Sequence, residues 1–201
     1  PINNQQSSFF NHCLSAYRLH PLAFTLCFLL PLTASADVPS FTAHDVTTSA
    51  DGAVFVHAVD LDGDGDVDVL SASQNDDTVA WHENNGSGGF TAHDITTSLD
   101  GVRVAHAADI DGDGDMDVIS ASVYAGPVWD KKIAWYENDG SENFTERVIT
   151  TSAAVKGAYV AHAVDLDTDG DMDLLFVSYY YNVIYWFEND GSENFTERSI
   201  P

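Results

Sequence analysis

After residue 37 the apolar positions fall in short runs, many of them β-branched or aromatic, each bounded by Gly, Asn or Asp. No stretch there keeps a helical period, and runs of this kind predict strands. The runs come in groups of four. The first group is Phe55–Val59, Val67–Ser73, Thr78–Asn84 and Phe90–Ile95. The second is Val104–Ala108, Met116–Ser122, Ile133–Asn138 and Phe144–Ile149, and the third is Val160–Val164, Met172–Ser178, Val183–Asn189 and Phe195–Ile200. Asn84-Asn85-Gly86, Asn138-Asp139-Gly140 and Asn189-Asp190-Gly191 sit between third and fourth runs, where residues tolerant of positive φ make tight turns.

The groups are copies of one another. Phe41-Thr-Ala-His-Asp-Val-Thr-Thr returns from Phe90, again from Phe144, and begins once more at Phe195, at spacings of 49, 54 and 51 residues. A four-stranded unit of about 50 residues predicts a propeller blade. The expected fold is therefore all-β: a β-propeller of four-stranded antiparallel blades over about 53–96, 102–150 and 158–201. Phe41–Val46 is left as an orphan outer strand. Rings of about 4–8 blades are typical, so further blades are expected from sequence outside this chain, with assembly from several short chains as the second possibility.

Between the first and second strands of every unit runs an aspartate ladder. It comprises Asp60, Asp62, Asp64, Asp66 and Asp68; Asp109, Asp111, Asp113, Asp115 and Asp117; and Asp165, Asp167, Asp169, Asp171 and Asp173. Carboxylates at positions 1, 3, 5 and 9, with Gly at 6, converge if the backbone curls around a shared point. Such a charge cluster needs a cation. Ca²⁺ suits it, taking about 6–8 oxygen ligands in forgiving geometry, so three ions are expected, one per blade. At position 7 (Asp66, Asp115, Asp171) the expected ligand is the backbone carbonyl, with the side chain in solvent. EF-hands share the 1-3-5 spacing but need a Glu at position 12, where this chain has Ser71, Ser120 and Phe176.

The ladder D-x-D-G-D-G-x-x-D together with W-x-E-N-x-G-S-x-x-F-T resembles the FG-GAP/VCBS-type repeat, related to the propeller repeats of integrin α-subunits. The resemblance covers about residues 41–201. It implies a β-propeller with Ca²⁺ in the hairpin between the first two strands of each blade. The third unit departs from it at Thr168, where the others have Gly63 and Gly112. That position supplies no expected ligand.

Charge divides the chain sharply. Residues 1–36 hold one base, Arg18, and no acid, while residues 37–201 hold all 32 acids and the remaining six bases. Leu22–Leu32 is an apolar core followed by Ala34-Ser-Ala36, which predicts a signal peptide over 1–36 and a secreted or cell-surface protein. The run is shorter than the roughly 18–20 residues a span requires, so no stable membrane span is expected in the mature chain. Cys13 and Cys27 both fall in the leader. The mature protein would have no disulfide, leaving metal and core to hold it. Such acidity excludes a phosphate-binding stripe, and no nucleic-acid partner is expected.

Two recurring residues read as structural. His57, His106 and His162 precede each ladder by three positions and are read as packing and hydrogen bonding. Trp81, Trp135 and Trp186 are read as wedges between blades. Asn85, Asn143 and Asn194 stand in glycosylation sequons. No G-x-S-x-G, H-E-x-x-H or cysteine nucleophile occurs, so no catalytic residue is assigned and no enzyme is expected in this chain. The edge opposite the ladders varies between units and gathers Arg103, Tyr124, Trp129, Lys131, Lys132 and Tyr180. Aromatics beside cations suit a sugar or an acidic protein patch. The expected function is a calcium-bearing binding or adhesion module for an extracellular protein or glycan. The alternative is the propeller portion of an extracellular hydrolase or lyase acting on polysaccharide.

Overall fold

The computed structural model describes residues 40–122, 132–151, 157–179 and 181–198. The leader expected over 1–36 lies outside them, with both cysteines. The chain divides between Ala43 and His44, and every described strand belongs to the second unit. Among the described residues no helix is long and apolar enough to cross a membrane.

Twelve strands form three separate four-stranded sheets. The first blade holds β1 (Ala53–Val59), β2 (Asp68–Ser73), β3 (Thr78–Asn84) and β4 (Phe90–Thr96). The second holds β5 (Val102–Ala108), β6 (Asp117–Ser122), β7 (Ile133–Asn138) and β8 (Phe144–Thr150), and the third β9 (Ala158–Val164), β10 (Asp173–Ser178), β11 (Val183–Asn189) and β12 (Phe195–Arg198). Each sheet runs in chain order and is antiparallel throughout. This is the partial β-propeller that the repeat predicts.

The boundaries differ from the sequence reading in an instructive way. The inner strands begin two residues early, at Ala53, Val102 and Ala158, because a bulge sits where the hydrophobic alternation breaks. Pairing skips Val54, Arg103 and Tyr159: Val102 faces Ser122 and Val104 faces Ala121, with the same skip in the other blades. Val67, Met116 and Met172 stay outside the second strands, which open on the last aspartate of each ladder. Phe41–Val46, read as an orphan outer strand, forms no strand; in each sheet β4, β8 or β12 already holds the outer position.

Blades pack face to face, and the period-2 alternation supplies both faces. Val104, Ile110, Ile119, Ile133 and Trp135 of the second blade are buried with Ala161, Leu174, Phe176 and Phe187 of the third. Leu70, Val79 and Trp81 of the first are buried with Ala105, Val118 and Tyr136 of the second. Trp81 and Trp135 thus fill the wedges assigned to them, and truncating either to Ala would cost about 3–5 kcal/mol. The third blade carries the same trailing face as the second, but Val160, Leu166, Val177 and Ile184 stand 49, 43, 39 and 54% exposed. Their counterparts Val104, Ile110, Ala121 and Ile133 are buried only because a further blade covers them.

Where the inner strands meet, the three histidines form a row. His57, His106 and His162 face Leu70, Ile119 and Leu175 in register. Their ring centroids are 4.3 and 5.3 Å apart. The Ala107 N–H donates to His57 Nδ1 (3.2 Å), tying the second blade to the first. Burial lowers the His57 pKa. Burial, then its two imidazole neighbours, push His106 down to about 4. A base with a depressed folded pKa contributes stability above its unfolded value near 6.5, lost as pH falls toward 4. On a half-exposed ring, screening trims the effect to about 1–2 kcal/mol. Urea unfolding in saturating Ca²⁺ at pH 7, 5.5 and 4.5 is expected to show this loss, and His106→Gln to remove it. An acid loss identical in the two proteins would place it elsewhere.

Candidate functional site

Each ladder is a curled loop whose carboxylates first satisfy the loop's own backbone. Position 9 is the anchor. Asp68 is wholly buried, accepting the Leu61 N–H on Oδ2 (3.0 Å) and the Asn84 N–H on Oδ1 (2.7 Å). Asp117 does the same with Ile110 (2.9 Å) and Asn138 (2.8 Å), and Asp173 with Leu166 (3.1 Å) and Asn189 (2.9 Å). One buried carboxylate therefore pins the start of its loop to the end of the third strand. The asparagine of W-x-E-N completes the joint. Asn84 Nδ2 donates to the Val67 carbonyl, and its Oδ1 accepts the Gly86 N–H (3.0 and 3.1 Å), with equivalents at Asn138 and Asn189.

The other positions fold the loop upon itself. Asp60 accepts from Gly65, Asp62 from Asp64 and Asp64 from Asp66, at 2.8–3.1 Å. Asp109 accepts from both Gly112 and Gly114, as Asp165 does from Thr168 and Gly170. The oxygens left over converge. One from each of Asp60, Asp62 and Asp68 lie within 4.8 Å of one another, as do those of Asp109, Asp111 and Asp117, and of Asp165, Asp167 and Asp169.

These oxygens fit a hard cation. Asp60 Oδ1 is buried with no donor, a costly state for a carboxylate oxygen unless a cation meets it. Burial, then crowding by neighbouring carboxylates, raises the pKa values of Asp62 and Asp111 despite a backbone hydrogen bond to each. Burial, against two backbone hydrogen bonds, pushes Asp117 up to about 7. An all-oxygen, multiply anionic set of this kind suits Ca²⁺. Asp64, Asp113 and Asp173 lie outside the tightest triplets.

Position 7 is where the structure corrects the sequence reading. Asp66, Asp115 and Asp171 do not reach into open solvent; each carboxylate sits over the glycine of its blade's Asn-Gly turn. A Cβ on Gly86, Gly140 or Gly191 would collide with it, and all three glycines have positive φ, near 70°. The Asn-Gly turn is thus fitted to the ladder as well as to the hairpin. Sequence reasoning also missed a cross-strand side-chain pair that repeats once per blade, a hydrogen bond in the first and an ion pair in the other two. The glutamate of W-x-E-N pairs with the residue diagonal to it: Glu83 with His93 (3.0 Å), Glu137 with Arg147 and Glu188 with Arg198. The common spacing of ten residues was its only signal.

Of the variable-edge residues, Tyr124, Trp129, Lys131 and Tyr180 lie outside the described residues. Lys132 is mostly buried and paired with Glu146. Arg103 lies over the Tyr159 ring, 5.4 Å from its centroid.

A groove of about 340 Å³ opens between the second and third blades, lined by Trp135, Arg147, Val148, Ile149, Glu193, Asn194 and Phe195. The tryptophan at its base recurs in each blade. At Trp81 and Trp186 the indole N–H is buried without an acceptor, and Trp81 stacks on His93 at 4.7 Å.

The family model of the FG-GAP-like repeat matches residues 40–120 and 123–176, about two thirds of the chain, and the chain belongs to that family. No curated protein matches it. Among solved structures it is similar to an Agrocybe aegerita lectin described for specific recognition of non-reducing terminal N-acetylglucosamine. The identity is 16% and the TM-score 0.52, covering 73% of this chain. The likeness is one of fold, and this chain spans 38% of the lectin's length.

The fitted glycine generates a graded prediction. Gly112 has positive φ but open space around a would-be Cβ, so Gly112→Ala carries only the left-handed penalty, about 1 kcal/mol. Gly140→Ala adds the collision with Asp115 and is expected to cost at least twice as much. Thr168, a β-branched residue at φ 68°, pays that penalty already, so Thr168→Gly is expected to stabilise. Denaturant midpoints in saturating Ca²⁺ check the order. Equal costs at Gly112 and Gly140 would remove the fitted contact.

Proposed function

We propose that this chain is part of an exported, calcium-loaded propeller that binds glycans outside the cell. Ca²⁺ is held by Asp60, Asp62 and Asp68, by Asp109, Asp111 and Asp117, and by Asp165, Asp167 and Asp169, with the rest of each ladder closing around it. Its part is structural: it neutralises converging carboxylates and fixes the hairpin that sets the blade edge. The converging oxygens, and above all the donorless Asp60 Oδ1, support that reading. Export fits the ion, since weak extracellular modules work at about 10⁻⁴–10⁻³ M Ca²⁺.

The observation that carries the glycan reading is the groove between blades. It sets the apolar side chains of Val148, Ile149 and Phe195 beside a charged and polar rim of Arg147, Glu193 and Asn194. A pyranose ring has apolar faces and an equator of hydroxyls, which such a groove matches. The lectin likeness supports the same reading at the level of fold. Adhesion follows if several grooves around a ring engage one surface, by avidity.

Two outcomes are expected. Chelation lowers the melting temperature strongly, Ca²⁺ restores it, and Mg²⁺ restores it poorly because it demands tight octahedral geometry. Calorimetry with and without chelator reads this, and an unchanged transition removes the calcium assignment. On a glycan array, Arg147→Ala should lose at least tenfold in affinity for whichever neutral glycan the parent protein retains. Retention of full binding by both Arg147→Ala and Asn194→Ala would move the ligand out of the groove.

A further inference from the structure

A second polar feature stands on the inner strands, away from the groove. The bulge that opens each inner strand leaves one residue out of the ladder, and bulges free a side chain to be aimed independently of the pleat. In successive blades that residue is Val54, Arg103 and Tyr159. Arg103 lies over the Tyr159 ring at 5.4 Å, and Tyr159 meets Tyr179 edge to face at 5.6 Å. Tyr179 is 69% exposed. The cluster presents one guanidinium backed by an aromatic pair at the edge opposite the ladders.

Among the described cations Arg103 stands apart in its pairing. Acids outnumber Lys and Arg 32 to 7, and the other described cations, Lys132, Arg147 and Arg198, are each paired to a glutamate. Arg103 has no such ion pair, and its Nε is buried without an acceptor. The terminal guanidinium nitrogens are not closed off in this way, and a carboxylate meeting them end-on accepts two charge-assisted hydrogen bonds. Stacking on Tyr159 holds the fork in place before any ligand arrives.

We propose that Arg103, Tyr159 and Tyr179 form a subsite for a carboxylate-bearing sugar, a uronic-acid residue, with the acid on Arg103 and the ring against the tyrosines. The chain's negative charge favours a single local acid over a polyanion, since screening beyond about 8 Å leaves the short-range contact intact while a dense polyanion stays repelled. The inference rests on the glycan-binding reading but not on the groove.

The probes are methyl β-glucuronide and methyl β-glucoside, which differ only at the C6 carboxylate, with N-acetylaspartate as the acid without a sugar ring. Titration calorimetry on the full chain in Ca²⁺ is expected to show at least tenfold tighter binding of the glucuronide than of either comparison ligand. Arg103→Gln should erase that preference and Arg103→Lys keep part of it. In the parent protein the Arg103 Nε–H resonance should move on adding glucuronide and not glucoside, a readout that stands even if a variant fails to fold. Glucoside bound equally well, or a preference surviving Arg103→Gln, overturns the subsite and leaves glycan binding standing. N-acetylaspartate bound as tightly as the glucuronide overturns the sugar assignment in favour of acidic peptide. If no sugar binds anywhere on the chain, this inference and the function it rests on both fall.

Discussion

The structure depends on one buried carboxylate per blade. Asp68, Asp117 and Asp173 lie fully out of solvent, and each survives there because two backbone N–H groups point at its two oxygens. Burying such a group unpaired would cost several kcal/mol; paired, it joins two segments that no strand ladder connects. The loop between the first two strands and the exit of the third are thereby held at fixed distance. The convergence of the remaining aspartates, the seat of the Asn-Gly turn and the approach of the position-7 carboxylate to its glycine all follow from that joint.

Around this joint the blades are interchangeable in their cores and different at their margins. The first two sheets bury a trailing face rich in Val, Ile and Trp against a leading face in which Ala105 and Ala161 alternate with Tyr136, Phe176 and Phe187. Small and large positions interleaved across each interface let the sheets close without clash. The differences gather at the edge opposite the ladders, above all at the bulged residue of each inner strand, which is Val54, Arg103 or Tyr159. A scaffold that confines variation to such places can change what it recognises while its core stays the same.

Much of this was legible in the chain. Period-2 runs, Asn-Gly turns and the ladder located nearly every strand within two residues, because all three are local signals. What escaped is what depends on register. The skips at Val54, Arg103 and Tyr159 shift the start of each inner strand, and no residue type announces them. The seating of Asp66 over Gly86 joins residues twenty apart through a hairpin whose geometry the sequence does not state. The Glu137–Arg147 pair was hidden for the same reason, since a diagonal across two strands has no periodic signature. Among the candidate site residues, the aspartates were found by composition and spacing, and Trp135 is the core wedge its recurrence predicts.

One bond carries a consequence for the ladders as a set. Asn189 Nδ2, besides serving its own blade, donates to the carbonyl of Ile110 at 3.4 Å. Ile110 is the second residue of the preceding ladder, and its N–H is held by Asp117. The second and third loops therefore share a hinge pin. Tightening one draws on the same peptide that shapes the other, so these two loops settle as coupled neighbours rather than as separate compartments.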